Sequence, residues 1–184
     1  TSIECCLLLD EAATVVVAGN IRRSAGMRQF TSTDKSAASA KDNLWQQDAE
    51  GNWRIDPARD ALRMANHTRV YHTKPSRQEV LDAVTKQFYS GEGAIQFAPE
   101  AIARSNRDLL DTDEKRCKFI ELYCDEGREI AAAYLTLQDD TGRPMDKQEL
   151  KHRMNRYGLN PCGEILGTDF HCNLSEIHLN TLDP

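Results

Sequence analysis

Asn160, Cys162 and Glu164 are the residues of this chain best placed to do chemistry together. They alternate in Asn160-Pro161-Cys162-Gly163-Glu164, so in an extended backbone an amide, a thiol and a carboxylate share one side. Pro161 has no backbone donor and Gly163 no Cβ, which favours a shaped loop over the interior of a helix or central strand. A loop can carry its tip into a cavity. There the thiol would act as nucleophile or radical, with the carboxylate as base and the amide as orienter of hydroxyl groups.

Each of these residues also has a plain reading. An isolated Cys is commonly a small buried hydrophobe, an isolated Glu a solvated carboxylate, and Asn before Pro an ordinary turn residue. Their concentration in five positions is what favours chemistry. Gly19, Asn20, Arg22, Arg23 and Ser24 form a second group, just past the end of an apolar helix. Its arginines are either a solvated basic pair or charge-assisted donors to phosphates and a base. Cys162, His171, Cys172 and His178 contain zinc-ligand types but no CxxC or HxxxH spacing, so a zinc site is the weaker reading.

Asn160-Pro161-Cys162-Gly163-Glu164-Ile165, followed by His171-Cys172-Asn173-Leu174-Ser175-Glu176, resembles the active-site finger loop of ribonucleotide reductases. The adenosylcobalamin-dependent, monomeric ribonucleoside-triphosphate reductases are the nearest resemblance. Ala18-Gly19-Asn20-Ile21-Arg22-Arg23-Ser24-Ala25-Gly26-Met27 resembles the loop that links effector and substrate sites in that family. A looser likeness runs through Met64-Ala65-Asn66-His67-Thr68 and Gly91-Glu92-Gly93-Ala94-Ile95.

The resemblance implies radical reduction of ribonucleoside triphosphates to deoxyribonucleotides. Cys162 would become the thiyl, Glu164 the general base and Asn160 the ribose-binding amide. Cys172 would be half of a redox pair whose other half lies upstream of this chain. Adenosylcobalamin is the implied radical source, a deoxynucleoside triphosphate the effector, and a thioredoxin-like protein the reductant. The iron-dependent branch, which usually carries Leu-Cys-Leu-Glu on this loop, and a non-catalytic zinc or nucleotide-binding module are the alternatives. The implied fold is the ten-stranded α/β barrel, of which residues 1–184 would be an internal part. Its finger loop would lie near 158–166 and its effector-linked loop near 19–27.

Bulk properties narrow the field. The net charge of −6 speaks against a general nucleic-acid or anionic-membrane surface. No apolar run reaches the roughly 20 residues of a membrane span. Six cysteines without the spacing of a secreted scaffold fit reduced thiols and the cytoplasm.

The elements that must position these groups alternate. Ile3 to Ala18 reads as a helix with Asp10 and Glu11 on its polar side and Gly19-Asn20 as its stop, and Cys5 and Cys6 are assigned to its packing. Met27–Thr31 reads as a short strand, residues 32–47 as an alanine-rich helix, and Thr68–Tyr71 as a buried strand. Ser76-Arg77-Gln78-Glu79 matches a capping box, with Val80, Val84 and Phe88 recurring at helical spacing up to Ser90-Gly91. Ile95–Phe97 is the next strand, and Pro99 opens a helix to about Ala103. Helices are expected over 113–127, with Cys117, Ile120 and Cys124 on one face, over 129–137 and over 146–157. This alternation predicts an α/β protein with a mainly parallel sheet.

Overall fold

Three β-branched residues, 15 to 17, disfavour continued helix. In the computed structural model the first helix, α1, runs Ser2–Thr14 and stops short of the expected Ala18. The structure describes residues 1–14, 26–160 and 164, with the backbone alone at 17–18 and 21–22. Past α1, β1 (Val17–Ala18) and β2 (Ile21–Arg22) pair antiparallel, Val17 opposite Arg22. The expected stop at Gly19-Asn20 lies outside the described residues, as do the apolar runs at 165–166 and 177–179.

β3 (Gly26–Thr31), β6 (Ala65–Tyr71) and β7 (Ala94–Phe97) form a parallel sheet in the order β3-β6-β7. The chain is therefore mixed α/β with a small parallel sheet, as expected. The two sheet faces differ. Register puts Met27, Gln29, Asn66, Thr68 and Gln96 on one face, and Arg28, Phe30, His67 and Arg69 on the other.

The helix expected over 32–47 shrinks to α2, Lys35–Ser39, capped by Asp34, whose side chain accepts from the Ala37 N–H. Asn43 turns left-handed with φ 51°, and β4 (Trp45–Gln47) then pairs antiparallel with β5 (Trp53–Ile55). Cross-strand pairing thus takes over residues whose alanine-rich approach favours helix. A 3₁₀ helix, Pro57–Met64, leads into β6. It packs with α1 and α2 around Cys6, Ala37, Ala40 and Leu62, while Cys5 is exposed and does not share in this core.

α3 (Arg77–Ser90) forms as expected: the Ser76–Glu79 capping box is complete and Gly91 closes the helix at φ 71°. Its stripe turns outward, however. Val84 and Phe88 are exposed beside Leu81 and Tyr89. α4 (Ala98–Ser105), α5 (Asp113–Asp125), α6 (Arg128–Leu137) and α7 (Lys147–Met154) share a second core of Ile102, Leu110, Phe119, Leu135 and Met154. On α5 the buried face is Phe119, Leu122 and Tyr123 rather than the expected Cys117, Ile120 and Cys124; Cys117 is exposed. Bulky aromatic carbon outcompetes small thiols for the interior. α7 ends at Met154, three residues before the expected Tyr157, with Asp146 as its N-cap.

Asp10, expected on the polar side of α1, is instead buried, and Arg28 Nη1 lies 3.0 Å from its Oδ2. Only 2% and 6% of the two side chains are exposed. The approach is off the hydrogen-bonding direction, so this is a Coulombic contact. Burial raises the Asp10 pKa against the opposing pull of Arg28 and Lys41. His67, beside Arg28 in the register, is pushed from 6.5 down to about 3, by burial first and then by Arg28, Lys41 and Arg69, with the Ala37 backbone pulling weakly the other way.

His67 is thus neutral in the fold, whereas the unfolded chain takes up a proton below 6.5. Stability should therefore fall as pH drops through the window from 6.5 to about 3. Between about pH 7 and about pH 5 this one group should remove about 2 kcal/mol. Urea unfolding across that range should show a shallower acid limb in His67→Gln; an unchanged limb would refute the assignment.

Among the described residues no helix is long and apolar enough to cross a membrane.

Candidate functional site

Because α7 ends at Met154, residues 155–160 are available to cross the sheet. Asn106 fixes where that crossing begins. Its buried amide donates to the carbonyls of Ile102 (2.8 Å) and Arg153 (3.1 Å). Its Oδ1 accepts from Arg153 and Arg156, each at 3.3 Å. Tyr157 then meets the His72 ring edge-on at a centroid distance of 5.3 Å. His72 Nδ1 lies 3.3 Å from the Tyr123 hydroxyl, and burial, aided by Arg128, lowers the His72 pKa.

Gln29 holds the segment to the sheet. Its Nε2 donates to the Tyr157 carbonyl at 3.1 Å and to Gln96 Oε1 at 2.6 Å, and its Oε1 accepts from the Leu159 N–H at 3.0 Å. One side chain of β3 therefore grips the segment at two points. Gln29→Ala should release it. With roughly 1 kcal/mol for each of the two bonds, the Leu159 amide should exchange about thirtyfold faster in deuterated solvent. Unchanged exchange would show that the segment is held elsewhere.

The next turn closes on itself. The Asn160 N–H donates to the Glu164 carbonyl at 3.0 Å, and the Glu164 N–H donates to Asn160 Oδ1 at 2.9 Å. Asn160 Nδ2 also donates to the Glu164 carboxylate. The expected amide and carboxylate are thus brought together, both half-buried. Cys162 is the middle residue of the three that this closure spans in sequence. A carboxylate and a carboxamide held side by side offer a proton acceptor and a donor to neighbouring hydroxyls, the work expected of a base with its orienter.

Cys162 and Cys172 lie outside the described residues, as do Gly19, Asn20, Arg23 and Ser24; Arg22 is placed by its backbone, in β2. The weaker zinc reading rests on Cys162, His171, Cys172 and His178, which also lie outside them. Among the described residues no group of three or more His, Cys, Asp or Glu could hold a metal ion.

Sequence reading missed Gln29 and Gln96. Both sit on the sheet face turned toward the 157–160 segment, and Gln96 Nε2 is buried without a hydrogen-bond partner among the described residues. The available signal was polarity on both faces of β3, Arg28 and Gln29 side by side, where a strand lying over a plain apolar core would alternate. No protein-family model, no curated protein and no solved structure matches this chain.

Proposed function

We propose that this chain is part of the catalytic barrel of a ribonucleotide reductase that converts ribonucleoside triphosphates to their deoxy forms by a radical route. The observation that carries the reading is the closure of Asn160 on Glu164, which pairs an amide with a carboxylate, each two positions from Cys162 in sequence. Asn160 would align the ribose hydroxyls. Glu164 would take the 3′-hydroxyl proton, easing loss of water from the 2′ carbon. Cys162 would remove the 3′ hydrogen and later return it, and Cys172 with an upstream partner would supply two electrons by closing a disulfide.

Two arrangements support the reading. β3 follows the arginine segment directly and carries Gln29, which holds the 157–159 backbone. Parallel strands joined through helices are the units from which an α/β barrel is assembled. In the ten-stranded barrel, β3, β6 and β7 would be three of the staves, with the 157–164 segment on the inner side. Gly19, Asn20, Arg22, Arg23 and Ser24 would contact the effector or the substrate phosphates. Adenosylcobalamin, when bound, supplies the radical by homolysis of its cobalt–carbon bond. The roles of Asn160, Cys162 and Glu164 belong to side chains of this chain, and Cys172 would act with its upstream partner. A thioredoxin-like reductant and a cytoplasmic setting complete the proposal.

The test is anaerobic assay of the intact protein with ribonucleoside triphosphates, with and without adenosylcobalamin. Cobalamin-dependent deoxynucleotide formation supports the full reading. Formation without it, dependent on a second protein subunit or an activating enzyme, keeps the reductase and overturns the cofactor. No product under any of these conditions sinks the reading.

A further inference from the structure

The sheet face opposite the 157–160 segment carries a cavity of about 560 Å³, within the usual range for small-ligand sites. Its walls come from β6, from the chain between α2 and β4, from the end of α3 and from the turn into β7. Three of its four Lys and Arg cations are already matched. Arg63 Nε lies 2.8 Å from Asp60 Oδ1. Lys41 Nζ lies 2.7 Å from Glu92 Oε1 and donates to the Ala65 carbonyl at 2.6 Å. Lys86 Nζ lies 2.5 Å from Asp42 Oδ1.

Arg69 is different. Its side chain is 7% exposed, and its bond to the Gly93 carbonyl at 3.2 Å takes up one of its five donors. Among the described residues it has no carboxylate partner within ion-pair distance. Gly93, at φ 95°, makes room for it: a Cβ there would stand 3.0 Å from Arg69 Nη1. Two residues earlier on the same sheet face, His67 is 4% exposed and its Nε2 has no hydrogen-bond partner among the described residues. A guanidinium buried without a counter-charge is unfavourable unless an anion completes it. Its planar fork matches the oxygens of a phosphate group.

The mouth of the cavity is aromatic. Trp45 is 57% exposed and Tyr89 83% exposed where they line it. Exposed aromatic faces beside a cationic pocket suit a ligand that carries a flat ring on an anionic tail.

We propose that this cavity is a binding site for a phosphorylated aromatic small molecule of mononucleotide size. Arg69 holds the phosphate, Lys86 lies at its edge, and Trp45 stacks on the ring. The site lies on the other side of the sheet from Asn160 and Glu164, and the proposal does not depend on the reductase reading.

The probe is ADP, with inorganic pyrophosphate and adenosine as partial ligands, added to the intact protein carrying Trp53→Phe so that Trp45 is the reporter within this chain. ADP should quench Trp45 emission in a saturable way, more tightly than either partial ligand. Arg69→Gln should weaken that binding about tenfold or more. Should R69Q fail to fold, Lys86→Glu, at a partly exposed position, reverses a charge at the rim and should weaken it comparably. No quenching by ADP up to about 1 mM, or quenching unchanged in both variants, would overturn the site. Because the readout is Trp45 rather than turnover, a protein inactive as a reductase still tests this cavity, and an active one with silent Trp45 loses only this proposal.

Discussion

Cys162→Ala in the intact protein should abolish deoxynucleotide formation, lowering kcat by at least about a thousandfold, while leaving the unfolding midpoint and substrate affinity close to those of the parent. The size follows from the role proposed. A thiyl is the group that removes hydrogen from carbon, and neither Asn160 nor Glu164 can substitute for it. Glu164→Gln should be less severe, since proton transfer by a positioned group contributes about a hundredfold to ten-thousandfold. It should leave the Asn160 contact partly intact, because Gln retains an oxygen that can accept from Nδ2. Turnover in Cys162→Ala within tenfold of the parent would remove the radical mechanism from consideration. A simple buried thiol at 162 would show the opposite pattern, altered stability with activity in proportion to the folded fraction.

Asp10→Leu should lower stability by about 3–5 kcal/mol, because it leaves the Arg28 charge buried and unmatched. Replacing both partners, Asp10→Leu with Arg28→Met, should restore most of that loss, since an apolar pair avoids desolvation at either end. Chemical denaturation of the single and double variants measures both numbers. A single variant within about 1 kcal/mol of the parent would show that water reaches the pair. The position of the pair gives the experiment a functional edge. Asp10 is on α1 and Arg28 on β3, so the contact bridges the two ends of the arginine segment. If the chain works as the reductase proposed, loosening it should change the response to a nucleotide effector before it changes the basal rate.

What could be read in advance was local. The capping box at Ser76 and the glycine stop at 91 depend on neighbours within one turn, and α3 begins and ends where they place it. Pro99 likewise marks the first turn of α4. Failures came where distant partners decide. Residues 40–47 carry helix-favouring alanine and lysine upstream, but Trp45–Gln47 finds Trp53–Ile55 across a tight turn at Asp48. Cys117, Ile120 and Cys124 have helical spacing, yet α4 and α6 cover the neighbouring face with Phe119 and Leu122. The burial of Asp10 could not be read from α1 alone, since its partner lies on another element.

The candidate site divides the same way. Asn160 and Glu164 were legible because their types and spacing state a chemistry within one short stretch, and the fold brings them into contact. Gln29, Gln96 and the Arg69 cavity were not, because their meaning arises from strand register between segments tens of residues apart.

The grip of Gln29 on the 157–159 backbone also limits how this chain can change length. Side chains on a strand alternate sides, so inserting or deleting one residue between Arg22 and Gln29 would turn Arg28 or Phe30 toward Leu159 and send the glutamine to the side of α1. Substitutions in that interval other than at Arg28 are then tolerable where a single-residue insertion is not, and only changes that keep the parity of the strand would let the arginine segment vary without unfastening the 157–159 backbone.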